Sequence, residues 1–324
     1  MTLLLALQAG AAEHMRAAVI ASGRIQLREV SRPGARPGQV LVRLQYAGVN
    51  PIDWKGAVGD ADEPAAAPAG VLAAAIPGVD GAGTISALGH SVTGFRVGDP
   101  VLLWSKDRGT YAQYVAVPAA AVTPIPNGLS LAQAAGLPHA GLAAWNMLVD
   151  QARVRAGRTV LVIGGAGGVG SAAVQIAVAL GAHVTATTSA ANADYLRSLG
   201  AATVIDYTTQ HFEDQLRNVD IAIDTVDLDN AYRALSVLRR GGLLVSSVGV
   251  PEAAACQARG VTCLRRTAGA TPVAAILKQL TDWTLAHRFR VNVDRSFELA
   301  QVAAAWQYSQ AGQVRGKVVI RIGD

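Results

Sequence analysis

Two patterns of apolar positions divide the chain. From Arg16 to about Val122, short β-rich runs (RAAVIA, RIQLREV, GQVLVRLQYAGV, GAGTISAL, GDPVLLW and YAQYVAV) are broken by Gly and Pro. Strands this short and closely spaced predict an irregular β-barrel or sandwich. After Pro126 the pattern alternates. LSLAQAAGL and GLAAWNMLVDQARV read as helices, TVLVIGG as a buried strand and VGSAAVQIAVALGA as a helix. The strand HVTATTS, the helix ANADYLRSLG, the strand TVIDY, a helix near 209–217, the strand DIAIDTV, a helix near 228–239 and the strand GLLVSSVG follow. Strands separated by helices of this length predict a doubly wound parallel sheet with right-handed crossovers. The tail reads as a helix over 273–286, FRVNVDRSF, the helix ELAQVAAAWQYSQAG and a last strand, GKVVIRI, expected to rejoin the N-terminal β region.

Two segments fit neither pattern. Residues 57–77, AVGDADEPAAAPAGVLAAAIP, carry no sustained period and read as a long surface loop, a lid or functionless disorder. The stretch TLLLALQAGAA resembles a signal h-region, yet no Lys or Arg precedes it and it is too short to span a membrane. Residues 1–14 are therefore read as a disordered extension of a cytoplasmic protein, with no membrane partner.

Composition narrows the function classes. With 324 residues, 51% of them hydrophobic, the chain can bury a sizeable core in two domains. Lys and Arg number 28 against 23 Asp and Glu, but no run of five basic residues occurs. A nucleic-acid partner is therefore not expected, although a bias toward phosphate-bearing ligands remains. Cys256 and Cys263 lie seven apart without a His or Cys nearby, so neither a zinc cluster nor a disulfide framework is expected from them. They read as thiols in a reducing compartment.

The chemistry begins at IGGAGGVGSAAVQIA. Gly165, Gly167 and Gly170 fit G-x-G-x-x-G directly after a strand and opening a helix, the setting a dinucleotide requires. The first glycines permit a tight turn and close approach of backbone to pyrophosphate, and the N–H groups of Gly168, Val169 and Gly170 would point at the anion. The bland alternative is a tight turn that binds nothing, or binds a flavin. The next strand ends Thr187, Thr188, Ser189, with no carboxylate before Asp194. An NAD site usually places Asp or Glu there to accept from the ribose hydroxyl. Ser189 and Asn192 can instead donate to a 2′-phosphate, so NADPH is the expected cofactor.

Together these stretches resemble the zinc-independent medium-chain dehydrogenase/reductases of the quinone oxidoreductase (zeta-crystallin-like) family. The resemblance runs from about residue 17 to the end, through AGVNPIDWK, IPGVDGAGTISALGHSVTGFRVGDPV, GTYAQYVAVP, PNGLSLAQAAGLP, GGAGGVGSAAVQIA, LGAATVIDY and GKVVI. It implies an α/β fold: a GroES-like β-rich catalytic domain over 15–140 and 288–324, and a Rossmann NADP-binding domain over 141–287. It implies NADPH-dependent reduction of a small-molecule quinone or of the C=C bond of an α,β-unsaturated carbonyl, in a homodimer. Zinc relatives carry Cys and Gly-His-Glu segments where this chain has GVNPIDWK and GVDGAGTI, so no metal is expected.

Carried over residue by residue, the resemblance puts the cofactor on Gly167, Gly168, Val169, Ser189, Asn192 and Tyr207, with Ser247, Val248 and Gly249 beside the nicotinamide. It places Asn50, Asp53 and Lys55 along the catalytic cleft. Asn50 would donate to the substrate carbonyl or a ribose, and Lys55 would stabilise the enolate or hold a cofactor phosphate or hydroxyl. Read blandly, Asn50 is a turn residue before Pro51, Asp53 a helix cap and Lys55 a solvated surface group. Tyr46, Trp104, Tyr111 and His139 are further candidates, Tyr111 reading best as a packed strand residue and His139 as a structural group. Two rival readings stay open. One is a tailoring enoyl reductase acting on a bulky biosynthetic intermediate, and the other a non-catalytic NADPH-sensing or nucleic-acid-binding protein on the same scaffold.

Overall fold

The computed structural model describes residues 13–21, 23–55 and 76–323. Most of the expected N-terminal extension, and all but two residues of the 57–77 loop, therefore lie outside the described residues.

The N-terminal runs form strands as their composition suggests. β1 (His14–Ala21) and β2 (Arg24–Ser31) pair as a hairpin. β3 (Gln39–Val49) leads through a turn into α1 (Ile52–Lys55), and β4 (Asp80–Leu88), β5 (Pro100–Trp104), β6 (Tyr114–Pro118) and β7 (Val122–Pro124) follow. Val40, Val42, Leu44, Ile85, Val101 and Leu103 bury one face of this sheet.

Helical periodicity takes over at α2 (Leu131–Gly136), capped by Ser130 and Gln133, and at α3 (Pro138–Trp145). The expected long helix after Gly141 is not uniform, since residues 146–151 wind as a π-helical turn. Six strands then alternate with helices. They are β8 (Thr159–Ile163), α4 (Gly168–Ala179), β9 (His183–Thr188), α5 (Ala193–Ser198), β10 (Thr203–Asp206), α6 (Phe212–Gln215), β11 (Val219–Asp224), α7 (Leu228–Ala234), β12 (Leu238–Ser246), α8 (Ala253–Arg259) and β13 (Thr262–Arg265). All are parallel, in the order β10-β9-β8-β11-β12-β13. This is the doubly wound arrangement, whose order reverses between β8 and β11 and opens a crevice there. Val160–Ile163 are buried because helices cover both faces of a parallel sheet.

After α9 (Val273–Leu285) the chain returns to the first sheet with β14 (Val293–Glu298), α10 (Val302–Gln310) and β15 (Lys317–Arg321). β15 lies antiparallel to β3 and completes the order β14-β15-β3-β4-β5-β7, with β6 also on β3. The last strand thus rejoins the N-terminal β sheet as its pattern predicts. Among the described residues no helix is long and apolar enough to cross a membrane.

Three further details depart from the sequence reading. The helix expected over 228–239 stops at Ala234, because Leu238 already pairs with Val219 in the sheet. α8 and β13 were not anticipated, since α8 buries Cys256 alone and shows no apolar period. Cys256 and Cys263 are not free thiols but a disulfide, their Cα atoms 6.2 Å apart. Gly260, left-handed at φ +65°, ends α8 and turns the chain back so that helix and edge strand lie side by side.

Candidate active site

The loop after β8 is built from glycines with separate tasks. Gly164 sits at φ +80°, where a Cβ would come within 2.6 Å of Val226 Cγ2. Its N–H donates to Thr187 Oγ1 at 3.1 Å, and Gly165 N donates to Thr187 O at 2.9 Å, which ties the loop to the end of β9. A Cβ on Gly170 would strike Gly164 O, so helix and strand meet there without a side chain between them. Gly167 is the N-cap of α4 in extended backbone, with no side chain capping the first-turn N–H groups of Gly168, Val169 and Gly170. Those donors sit at the positive end of the helix.

A cleft of about 700 Å³ opens at this loop. Gly167 lines it, with Ser189, Asn192 and Tyr207 from the ends of β9 and β10 and Pro51, Trp54 and Lys55 from the β-rich half. Of the expected cofactor residues, Gly167, Ser189, Asn192 and Tyr207 face the cleft, while Gly165, Gly168, Val169 and Gly170 shape the turn beneath it. Val248 and Gly249 follow β12, where both N–H groups donate to Ser246 Oγ at 3.2 Å. Ser246 in turn donates to the buried Asp224 at 2.7 Å. Burial pushes Asp224 up to about 6.

No carboxylate ends β9, and Asp194 is exposed and paired with Arg197 at 2.7 Å. A cation reaches the cleft from elsewhere: Arg233 of α7, held by Glu213 through bonds of 2.7 and 2.8 Å and lying over the Phe212 ring. Sequence reading missed it because this part of the cleft is assembled from three separate strand ends.

Of the three catalytic candidates, Lys55 lies on the cleft, whereas Asn50 and Asp53 are 1% and 0% exposed. They belong to a buried polar layer behind α1. Asn50 N and Tyr111 OH donate to Asp53 Oδ2 at 2.8 and 2.7 Å, and Asn50 Nδ2 donates to Asp80 Oδ1 at 2.7 Å. Asp80 Oδ2 accepts from His139 N at 3.0 Å. Lys317 Nζ donates to Val49 O at 3.0 Å and to Asn50 Oδ1. One residue earlier, Gly316 N donates to Ala166 O at 2.8 Å, which joins this layer to the glycine loop. Asp80 and Lys317 were not anticipated. Tyr111, read as a packed strand residue, is fully buried and also anchors Asp53, while Tyr46 and Trp104 are half-buried.

Electrostatics follow from this burial. Desolvation raises Asp80 and lowers Lys317, and their mutual attraction opposes both shifts. Desolvation, then Lys317 and Arg266, push the His139 imidazole down to about 3, so it is neutral at physiological pH. Desolvation and the nearby Asp80 push Asp53 up to about 7. Its Oδ1 is buried with no hydrogen-bond partner among the described residues.

A raised native pKa means that the folded state holds a proton the unfolded chain releases near 3.8, so this contribution to stability is lost as pH rises from about 3.8 to about 7. Asp53→Asn is expected to remove that slope. Thermal melts of both proteins at pH 4.5, 6 and 7.5 test it, and parallel pH profiles would show that Asp53 is ionised throughout.

The polar layer does not form a zinc donor set. It offers two carboxylates with an amide and a lysine ammonium between them, no thiolate, and no cluster of three His, Cys, Asp or Glu among the described residues. A pyridine nucleotide fits better, because the open cradle at Gly167 and the uncapped first turn of α4 suit a diphosphate.

Comparison with known proteins agrees with this geometry. Residues 36–127 match the alcohol dehydrogenase GroES-like domain, 143–237 the alanine dehydrogenase/PNT C-terminal domain and 199–320 the zinc-binding dehydrogenase family. The chain is 33% identical to a 2-methylene-furan-3-one reductase of Solanum lycopersicum, over 90% of this chain and 74% of that one. It is 31% identical to a chloroplastic NADPH-dependent alkenal/one oxidoreductase of Arabidopsis thaliana, over 89% and 73%. Among solved structures, a quinone oxidoreductase of Coxiella burnetii superposes with a TM-score of 0.82 at 27% identity, covering 96% of this chain and all of that one.

Proposed function

We infer that this chain, a member of the medium-chain dehydrogenase/reductase superfamily in its zinc-independent, quinone-oxidoreductase-like branch, is an NADPH-dependent reductase of quinones or of the C=C bond of α,β-unsaturated carbonyls. The observation that carries the reading is a single cleft, with the glycine loop and a carboxylate-free strand end on one side and Lys55 on the other. The names of the relatives point to the same substrate classes.

When bound, the nicotinamide supplies the hydride. The chain's own residues supply position and charge. Gly167 and the first-turn N–H groups of Gly168, Val169 and Gly170 hold the diphosphate, and Gly165 lets the loop pack against Leu196 and Ala186. Ser189 and Asn192 donate to the 2′-phosphate, with Arg233 adding positive charge to that end of the cleft, and Tyr207 flanks the adenosine. Val248 and Gly249, fixed by Ser246, face the nicotinamide. On the opposite wall Lys55 stabilises the negative charge that grows on the carbonyl oxygen as the β-carbon is reduced. Asn50 and Asp53 act through α1: they hold its first turn in place and so set where Lys55 and Trp54 stand.

Titration with NADPH and NADH, followed by turnover of 1,2-naphthoquinone, 1,4-benzoquinone and linear enones, tests the reading. NADPH is expected to bind more tightly and to be oxidised by at least one acceptor; oxidation by none of them would sink it. Ser189→Asp places a carboxylate where the 2′-phosphate is expected. It should weaken NADPH binding about tenfold or more while NADH binding holds or improves. Equal effects on both cofactors would move the phosphate site elsewhere.

A further inference from the structure

Arg266 directly follows β13, at the carboxyl end of the strands, where ligands of doubly wound folds bind. Its neighbours hold its backbone on three sides. Arg266 N donates to Ser246 O at 2.7 Å, Gln151 Nε2 donates to Arg265 O at 3.0 Å, and Thr267 N donates to Gln151 Oε1 at 3.3 Å. Thr271 Oγ1 anchors the following segment on Asp150 at 2.6 Å. Ser246, the residue bonded to Arg266, also fixes Val248 and Gly249.

The side chain contrasts with this firm backbone. It is half-buried, yet among the described residues its guanidinium has no hydrogen-bond or ion-pair partner. The titratable groups it interacts with electrostatically are another cation, Arg265, and the neutral His139 imidazole. Three arginines elsewhere in the Rossmann half are ion-paired: Arg233 with Glu213, and Arg158 and Arg239 with Asp220. A partly desolvated guanidinium with five donors and no acceptor is costly to hold and matches the planar fork of a carboxylate.

We propose that Arg266 is the carboxylate-binding residue of the substrate site, so that the preferred acceptors are enones or quinones bearing a carboxylate near the reducible bond. The proposal rests on the reductase reading above and names its substrate class. Gln151 and Ser246 hold the backbone of Arg265, Arg266 and Thr267 next to the segment that carries Val248 and Gly249, and hydride transfer to the β-carbon with protonation at the α-carbon leaves the carboxylate unchanged.

The test pairs trans-3-benzoylacrylate with its methyl ester, and 3-benzoylpropionate as a saturated, unreactive probe of binding. The kcat/KM ratio of acid over ester is expected to fall about 30-fold in Arg266→Gln, as loss of a charge-assisted bidentate contact implies. The calorimetric Kd of 3-benzoylpropionate should rise by a similar factor, and Arg266→Lys should recover part of both. An acid/ester ratio near one in the native protein, or an unchanged 3-benzoylpropionate Kd in Arg266→Gln, would overturn the proposal. So would loss of NADPH affinity in the variant, since the anion held would then be the cofactor's. If neither acid nor ester is reduced but 3-benzoylpropionate binds through Arg266, the carboxylate site stands and the reductase reading falls.

Discussion

Gly167→Val is expected to yield a folded protein with NADPH affinity weakened at least about 100-fold. Gly167 has φ −70° and ψ 176°, extended backbone that valine adopts without strain. The atom nearest to a Cβ built there is Gly164 O at 3.7 Å, so the protein itself leaves room for the side chain. That room is the floor of the cleft, directly in front of the first-turn donors of α4. A branched side chain would hold the diphosphate away from those N–H groups, and the cofactor would lose their charge-assisted bonds and keep only the contacts at its two ends. Gly170→Ala makes the contrast, because its methyl group would meet Gly164 O inside the turn and both stability and binding should suffer. Fluorescence titration with NADPH beside a thermal melt separates the two. If Gly167→Val melted as the native protein does and still bound NADPH normally, the diphosphate would not lie on this loop.

The glycine loop was legible in the sequence because its determinants are local. An apolar strand, a glycine cluster and a small-residue helix follow one another within about twenty residues, and each obeys a short-range period. The missing carboxylate after β9 was legible for the same reason. The β-rich half and its return at β15 could be read from alternation, and the structure places β15 beside β3.

What could not be read are contacts made only by the fold. Lys317 lies 267 residues from Asn50, Tyr111 lies 58 from Asp53, and Arg233 approaches the cleft from a helix whose own pattern gives no sign of it. Asn50 and Asp53 were identified by position in AGVNPIDWK, but their burial was hidden, because Asp80, Tyr111 and Lys317 enclose them from three other strands or their ends. The disulfide failed for a related reason. Seven residues look too few for a framework until Gly260 is seen to reverse the chain between helix and strand. Spacing along the chain describes partners well only where the backbone between them is regular.

Lys317→Met tests the buried layer itself and is expected to destabilise the protein by about 3–5 kcal/mol. Methionine fills much of the space of the lysine stem, which packs against Gly136 and Gly168, so the packing loss should be small. The cost comes from what remains. Asn50 Oδ1 and Val49 O lose a donor, and Asp80, fully buried, loses its only cationic neighbour among the groups that hold its charge. Its remaining bonds from Asn50 Nδ2 and His139 N do not offset an unpaired carboxylate in that surrounding. Adding Asp80→Asn removes the charge, and the double variant should recover at least about 1 kcal/mol relative to the sum of the single changes. Because Gly316 N holds Ala166 O and the lysine stem abuts Gly168, loosening this layer should also weaken NADPH binding. Denaturant melts of the four proteins in the cycle decide the matter. Additive losses would mean that Lys317 and Asp80 act independently, and that backbone contacts alone join the buried layer to the glycine loop.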